Sequence, residues 1–364
     1  MKNLLRKLPI EIYALVAPSI LIFFGFLIWA INSVNQVTFV ELFVKLNYMT
    51  AILANFELQT IFIFLWSLVG IYIIIYLIIN LRNRVVKIPL AVSVIKSLMA
   101  VTIFSNVMSL TLGLSVTYLF YSVSGGRVLE FTLLIDKLER AIWGGLPALS
   151  LINFFSGTMV ESIILYTYAN LLLVFCPLIV MLAFLNKNIF RQTFIAFFLS
   201  CLIALPLFTV LPVISPDALY IAKVFKADNV NLPMPGDFKE SKTFSSYKDF
   251  FHEIWISDDN SFYSVSSIPS LHAAWGLIIL LGIFKIKKKI LSAVFSIWFV
   301  FNTVGTFYSL QHYAIDTITG LVFGFAIFYL AGRLMDLETK YYKGEDWYCF
   351  FDFLGRFRVR HPTR

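Results

Sequence analysis

Apolar residues run along this chain in blocks longer than a soluble domain uses, separated by short polar stretches. A helix needs about 20 mostly apolar residues to cross a bilayer. Eight segments meet that demand: Ile12 to Val34, Leu58 to Leu81, Leu90 to Tyr121, Met159 to Leu185, Phe194 to Val213, Pro269 to Phe284, Ile290 to Tyr308 and His312 to Leu334. The pattern predicts an all-α, polytopic membrane bundle of about eight spans. The polar stretches set its orientation. Cations gather at the N-terminus, at Arg82, Arg84 and Lys87, at Lys187 and Arg191, along Lys285 to Lys289, and in the tail after Arg333. Short cytoplasmic loops carry the excess of Lys and Arg, so all five clusters are expected to face the cytoplasm. Eight spans then place both termini on that side.

The intervening loops face the other way. One, from about Ser122 to Gly157, contains Leu129 to Trp143, an amphipathic stretch with Glu130, Asp136, Lys137, Glu139 and Arg140 that leads into Gly144-Gly145-Leu146-Pro147. Such a stretch is expected along the membrane interface. The other, Ser215 to Ile268, is the one long polar loop and includes Lys223, Lys226, Asp258 and Asp259; long loops in compact folds commonly serve as lids or binding elements. The expected organisation is two N-terminal helices over 1–89, a six-helix core over 90–335 with the loop 215–268, and a basic cytoplasmic tail over 336–364.

Composition narrows the function classes. Of the 364 residues 59% are hydrophobic and 17% aromatic, and the net charge is +8. In a chain this apolar the charge belongs to loops and anionic lipid, and nucleic acid is not an expected partner. Cys176, Cys201 and Cys349 lack metal-ligand spacing, so neither a disulfide nor a metal site is expected. Lys2, Arg6 and Lys7 before an apolar run imitate a signal peptide, but no convincing cleavage site follows, and an uncleaved first helix is expected.

The candidate chemistry lies in histidines. There are only four, His252, His272, His312 and His361, and two of them open apolar segments. His272 stands in Ser267-Ile268-Pro269-Ser270-Leu271-His272-Ala273-Ala274, where Pro and Ser signal a helix start. Free N–H groups there favour an anion. His312 stands four residues before Asp316, which predicts both on one helix face. A carboxylate so placed fixes the tautomer of the imidazole and leaves its other nitrogen as a base or nucleophile. His312 as nucleophile, Asp316 as its orienting partner and His272 as general acid make a phosphoryl-transfer set. Ser270 either caps its helix or touches the phosphate. The lysine run at 285 to 289 pins the far end of the hairpin between the two histidines, so both belong on the non-cytoplasmic side.

These residues resemble the type 2 phosphatidic acid phosphatase superfamily. Pro269-Ser270-Leu271-His272 is similar to its Pro-Ser-Gly-His motif, and His312 to Asp316 is similar to the end of its third motif. Within that superfamily the chain looks most like the inositol phosphorylceramide synthase branch, on Leu205-Pro206 through Pro216, Asp136 to Pro147 and Ile268 to Ala274. The resemblance implies the same three roles, a lipid substrate and a phosphohistidine intermediate. It departs where the phosphatase branch carries Ser-Arg ahead of the third-motif His, since Gly305 and Thr306 stand there, and a first-motif arginine is also absent. Without that bidentate clamp a dianionic monoester is less well served than a phosphodiester. Transfer of a phospho-head group to a lipid or polyol hydroxyl is therefore expected, with a lipid or polyprenyl-phosphate phosphatase as the alternative. Lys223, Lys226 and Arg140 are the candidate phosphate contacts. The mechanism calls for no metal or cofactor. A bis-histidine haem or metal protein is the rival of another class, but it would not need Pro269-Ser270 or Asp316.

Overall fold

The structure, a computed structural model, describes residue 18, residues 126–171, the positions 174, 178, 181, 182 and 185, and residues 186–221, 238, 241–247 and 268–341. Apart from Pro18, the first three predicted spans lie outside the described residues, as do most of the loop 215–268 and the end of the tail. Every regular element among the described residues is helical. They are α1 (Gly126–Trp143), α2 (Pro147–Phe155), α3 (Met159–Ala169), α4 (Lys187–Val210), a π-helical turn (Asp217–Ile221), α5 (Leu271–Ile286), α6 (Lys289–Tyr308) and α7 (Ala314–Tyr341).

Local chemistry explains where these helices begin and end. Gly144 at φ 74° ends α1, and Pro147 opens α2, where its missing N–H costs nothing. Thr158 caps α3 by accepting from Glu161 N at 3.4 Å, while the Glu161 side chain reaches back to Gly157 N at 2.8 Å, a variant of the capping box. Asn186 caps α4 by accepting from Asn188 N and Ile189 N. Lys287, in the left-handed region at φ 61°, turns α5 into α6.

Among the described residues, three helical stretches are long and apolar enough to cross a membrane: Asn188–Phe208, Lys289–Tyr308 and Ala314–Lys340. The apolar α5 has 16 residues, which span about 24 Å. The segment predicted as Met159 to Leu185 is interrupted at Asn170, whose N–H is shared between Tyr166 O and Tyr168 O. The segment predicted from Phe194 begins earlier, at Lys187, because Asn186 supplies the cap. Arg191, read in the sequence as a flanking loop charge, is instead buried within α4 and paired with Glu338 of α7 at 2.9 Å. Helix α7 continues past Met335 to Tyr341, and of positions 336–340 Glu338 is the buried one.

Helix α5 lies among α4, α6 and α7, and α6 packs on α3. Lipid tails are as apolar as leucine, so close packing of small residues has to hold spanning helices together. Two small pairs four residues apart meet at the α5–α7 crossing. A Cβ on Gly320 would overlap the Ser270 carbonyl oxygen, and one on Gly324 would come within 2.7 Å of the Ala274 carbonyl oxygen. The backbones of the two histidine-bearing helices therefore touch where the site is built.

Helix α1 departs from a simple apolar-in, polar-out pattern. Thr132, Asp136 and Glu139 are buried, while Leu134, Leu138, Ile142 and Trp143 are exposed. Asp136 and Glu139 turn toward the bundle together with Val128, Phe131 and Ile135, while Glu130 shares the exposed side with Leu134, Leu138, Ile142 and Trp143.

Candidate active site

The two histidine stretches are joined through the backbone: Ser270 N donates to Asp316 O at 3.0 Å. Ser270 is the N-cap of α5 and accepts from Ala273 N at 3.4 Å, so its hydroxyl is engaged as a cap. The next two N–H groups, of Leu271 and His272, belong to the first turn and have no intrahelical acceptor. Pro269, joined to Ile268 by a cis peptide bond, precedes the cap.

His272 is the second residue of α5, and its ring centroid lies 6.0 Å from that of His312 with the planes at 57°. Tyr168 of α3 stacks on His272 at 4.6 Å and 33°. Trp275 lies 6.0 Å from His272 on the α5 side and donates to Ser200 Oγ at 3.0 Å. Tyr168 in turn reaches Tyr247 of the turn 242–247 at 6.5 Å. The imidazole of His272 is thus held by aromatic contacts.

His312 is held differently. It precedes α7 and does not share a helix face with Asp316, because α7 begins only at Ala314. Asp316 sits in the first turn, and its Oδ2 accepts from Tyr313 N at 2.9 Å and lies 3.8 Å from His312 Nδ1. The latter separation is within ion-pair range but longer than a hydrogen bond. Contacts of this kind commonly tighten only when substrate binds. Asp316 is fully enclosed, and its Oδ1 has no hydrogen-bond partner among the described residues. Nδ1 facing the carboxylate leaves Nε2 as the reactive nitrogen of His312.

Three elements surround this pair. Asp217 N donates to Leu310 O at 2.9 Å, and Gln311 Nε2 donates to Asp217 Oδ2 at 3.4 Å, so the π-helical turn docks directly upstream of His312. Downstream, Glu139 of α1 accepts from Ala314 N at 2.8 Å and Ile315 N at 3.1 Å. Burial is the main cause that raises the Glu139 carboxyl above its ordinary range, with Asp316 and Asp136 adding to it and the two N–H bonds opposing it. The third element is Glu161, fully enclosed, which accepts from Tyr308 OH at 3.1 Å and Ser241 Oγ at 2.7 Å.

Arg140 is partly exposed at the rim. Its Nε donates to Asp136 at 2.7 Å and its Nη2 to Tyr220 OH at 2.5 Å. Burial, then the neighbouring Asp136, push the Tyr220 phenol up. Lys223 and Lys226 lie outside the described residues. His272, His312, Asp316 and Ser270 are brought together, with Arg140 on the adjoining helix.

A family model described as the PAP2 superfamily matches residues 133–330, over half of the 364-residue chain. The chain belongs to the PAP2 superfamily. The match takes in both histidine stretches, Asp316 and most of α1. Superfamily membership points to a membrane lipid enzyme of phosphatase or phosphotransferase type. No curated protein and no solved structure was found to match the chain. The departure at Gly305 now has a packing reason: a Cβ there would come within 2.7 Å of Tyr168 Cβ and 2.8 Å of Ile164 O. Close approach of α6 to α3 seats the tyrosine that stacks on His272.

The sequence carries no sign of Tyr168, Asp217 and Glu161 as neighbours of the site, assigns no role to Gln311 and Tyr313 on either side of His312, and shows Glu139 only as a charge on an amphipathic helix. No local signal marks the tyrosines. Glu161 closes the start of its own helix, and its second use, at Tyr308 and Ser241, is tertiary.

Proposed function

We propose that this chain is a lipid phosphotransferase that moves a phospho-head group from a phospholipid to a lipid or polyol hydroxyl through a phosphohistidine on His312. The observation that carries the reading is the facing pair of imidazoles, 6.0 Å between centroids, with the Asp316 carboxylate behind one of them. In the first half-reaction His312 Nε2 attacks phosphorus. The bond to the leaving oxygen breaks, and that oxygen keeps the electron pair and takes a proton from His272. In the second half His272 accepts the proton of the entering hydroxyl, whose oxygen attacks phosphorus. The P–N bond breaks and its pair returns to His312. Asp316 holds the tautomer and stabilises the imidazolium character that develops at His312. The N–H groups of Leu271 and His272 at the start of α5 face the phosphate oxygens, with Ser270 shaping that turn and Arg140, Lys223 and Lys226 as further phosphate contacts.

Two arguments favour an alcohol over water as acceptor. Arginine is absent from the positions before the third motif, and Arg140 at the rim offers a phosphate only what Asp136 and Tyr220 leave of its guanidinium. A phosphodiester carries one negative charge fewer than a monoester and needs less neutralisation. The resemblance to the inositol phosphorylceramide synthase branch points the same way. The lysines at the α5–α6 turn support a cytoplasmic location for that end and so favour the non-cytoplasmic side for the histidines; a chain of eight spans would then have both termini in the cytoplasm.

The test is an acid quench of purified protein after brief exposure to phospholipids labelled in the phosphate. An acid-labile, base-stable adduct is expected in the parent and is expected to fall by at least about a thousandfold in His312→Ala. Supplying a polyol then yields a soluble labelled phosphodiester, and a lipid alcohol a new labelled lipid, if the enzyme is a transferase; a hydrolase releases the phosphorylated head group from a diester donor and free phosphate from a monoester donor. Turnover that survives His312→Ala would sink the nucleophile assignment.

A further inference from the structure

We infer that Glu139 is the positioning residue of the nucleophile, a carboxylate from α1 that fixes where the His312 segment enters α7. The role rests on the phosphohistidine reading above. A buried carboxylate loses its hydration and is tolerated only when its oxygens find donors. Glu139 is 2% exposed and uses one oxygen on Ala314 N and the other on Ile315 N. These two N–H groups open α7, immediately after His312 and Tyr313. A helix start is usually capped by a side chain next to it in sequence. Here the neighbour Asp316 takes only Tyr313 N, and the following two amides are taken by a residue 175 and 176 positions away.

His312 is consequently suspended between two anchors. Upstream, Leu310 and Gln311 are bound to Asp217; downstream, residues 313 to 315 are bound to Asp316 and Glu139. Between them the imidazole has little freedom to leave the line toward His272. The same bonds have a second consequence. With its opening amides occupied by carboxylates, the start of α7 does not serve as an anion site, which leaves phosphate to the start of α5. Asp136 and Arg140 on α1, Asp316 and Tyr313 on the α7 side and Tyr220 on the π-helical turn are the titratable groups around Glu139.

The experiment compares the full-length parent, Glu139→Gln and a control, Lys137→Ala, whose side chain is exposed on α1. Hydrogen exchange is followed at the amides of 313–316, and phosphohistidine formation in single turnover with labelled phospholipid. The amide side chain of Gln has the same shape but one acceptor oxygen fewer. In Glu139→Gln, exchange at Ala314 and Ile315 is expected to quicken by about tenfold. Adduct formation is expected to fall by about ten- to a hundredfold, the effect of small misplacement, with the donor KM within about twofold of the parent. Lys137→Ala should match the parent throughout. A raised KM with an unchanged adduct rate would make Glu139 a substrate contact and overturn the positioning role, as would unchanged exchange and unchanged chemistry. If the parent forms no adduct with any phospholipid, the phosphohistidine reading falls on its own. The rate of His312 carbethoxylation by diethyl pyrocarbonate then decides: a changed rate in Glu139→Gln supports positioning, and an unchanged one overturns it.

Discussion

Buried carboxylates occur at both ends of this bundle, and they are satisfied by different chemistry. Around the histidines, Glu139, Glu161 and Asp316 accept from backbone N–H groups and hydroxyls. At the opposite end Glu338 is met by the Arg191 guanidinium, and Gln192 beside it bonds Phe328 O and Lys285. A guanidinium cancels the charge and fastens two helices. A backbone N–H cancels nothing: it holds the carboxylate in one geometry and leaves its negative charge beside the imidazoles, where an imidazolium forms during the reaction. One end is built for attachment, the other for aim.

If that contrast is right, the largest loss of stability belongs to the attachment end. Glu338→Ala leaves Arg191 buried without its carboxylate and is expected to cost about 3–5 kcal/mol, read as denaturant or thermal unfolding in detergent. The folded fraction should turn over at the parental rate. Replacing both partners with leucine should restore most of the stability, since an apolar pair of that size does not strand a charge. A large loss of kcat in the folded fraction of Glu338→Ala would erase the distinction between the two ends.

A smaller stability loss with a larger functional one is expected at the aiming end. Glu161 joins Gly157, Tyr308 and Ser241, and Ser241 caps the turn 242–247 by accepting from Phe244 N at 2.9 Å. Glu161→Gln keeps the shape but weakens charge-assisted bonds, at about 1–3 kcal/mol. Limited proteolysis should cut the segment 241–247 sooner, and kcat/KM should drop because Tyr247 and Tyr168 no longer brace His272. Parental proteolysis with parental kcat/KM would make Glu161 a helix cap only.

How much of this was legible in the sequence follows the same division. His272, His312 and Asp316 were readable because short-range spacing and helix-start chemistry fix them, and the apolar runs gave α4, α6 and α7 nearly whole. The register of His312 was misjudged: a spacing of four suggests one helix face, but α7 starts after the histidine, and Asp316 meets it from the first turn. Arg191 was misread because a cation beside an apolar run ordinarily marks a loop, and its partner lies 147 positions away. Glu139 shows the limit most clearly. Its stretch was recognised as amphipathic, yet which face turned inward depended on two amides of a distant helix.

The smallest expected effect isolates that residue through pH. Burial leads the causes that raise the folded Glu139 carboxyl above 4.5. The folded chain then holds its proton more firmly than the unfolded chain. Below the unfolded value Glu139 is protonated in both states, and its contribution to stability is fully present. As pH rises, the unfolded chain releases its proton first, and the contribution is lost progressively until the folded value is passed. Parent and Glu139→Gln melted across about pH 4 to 8 should therefore converge or cross, the parent losing ground relative to the variant as pH increases. The effect is modest because the Ala314 and Ile315 N–H bonds stabilise the charged form against burial. A parent that instead gains on Glu139→Gln with rising pH would mean that those two bonds outweigh burial. The ionised carboxylate would then be the form the fold selects, and the contrast with the Arg191 end would rest on charge as well as geometry.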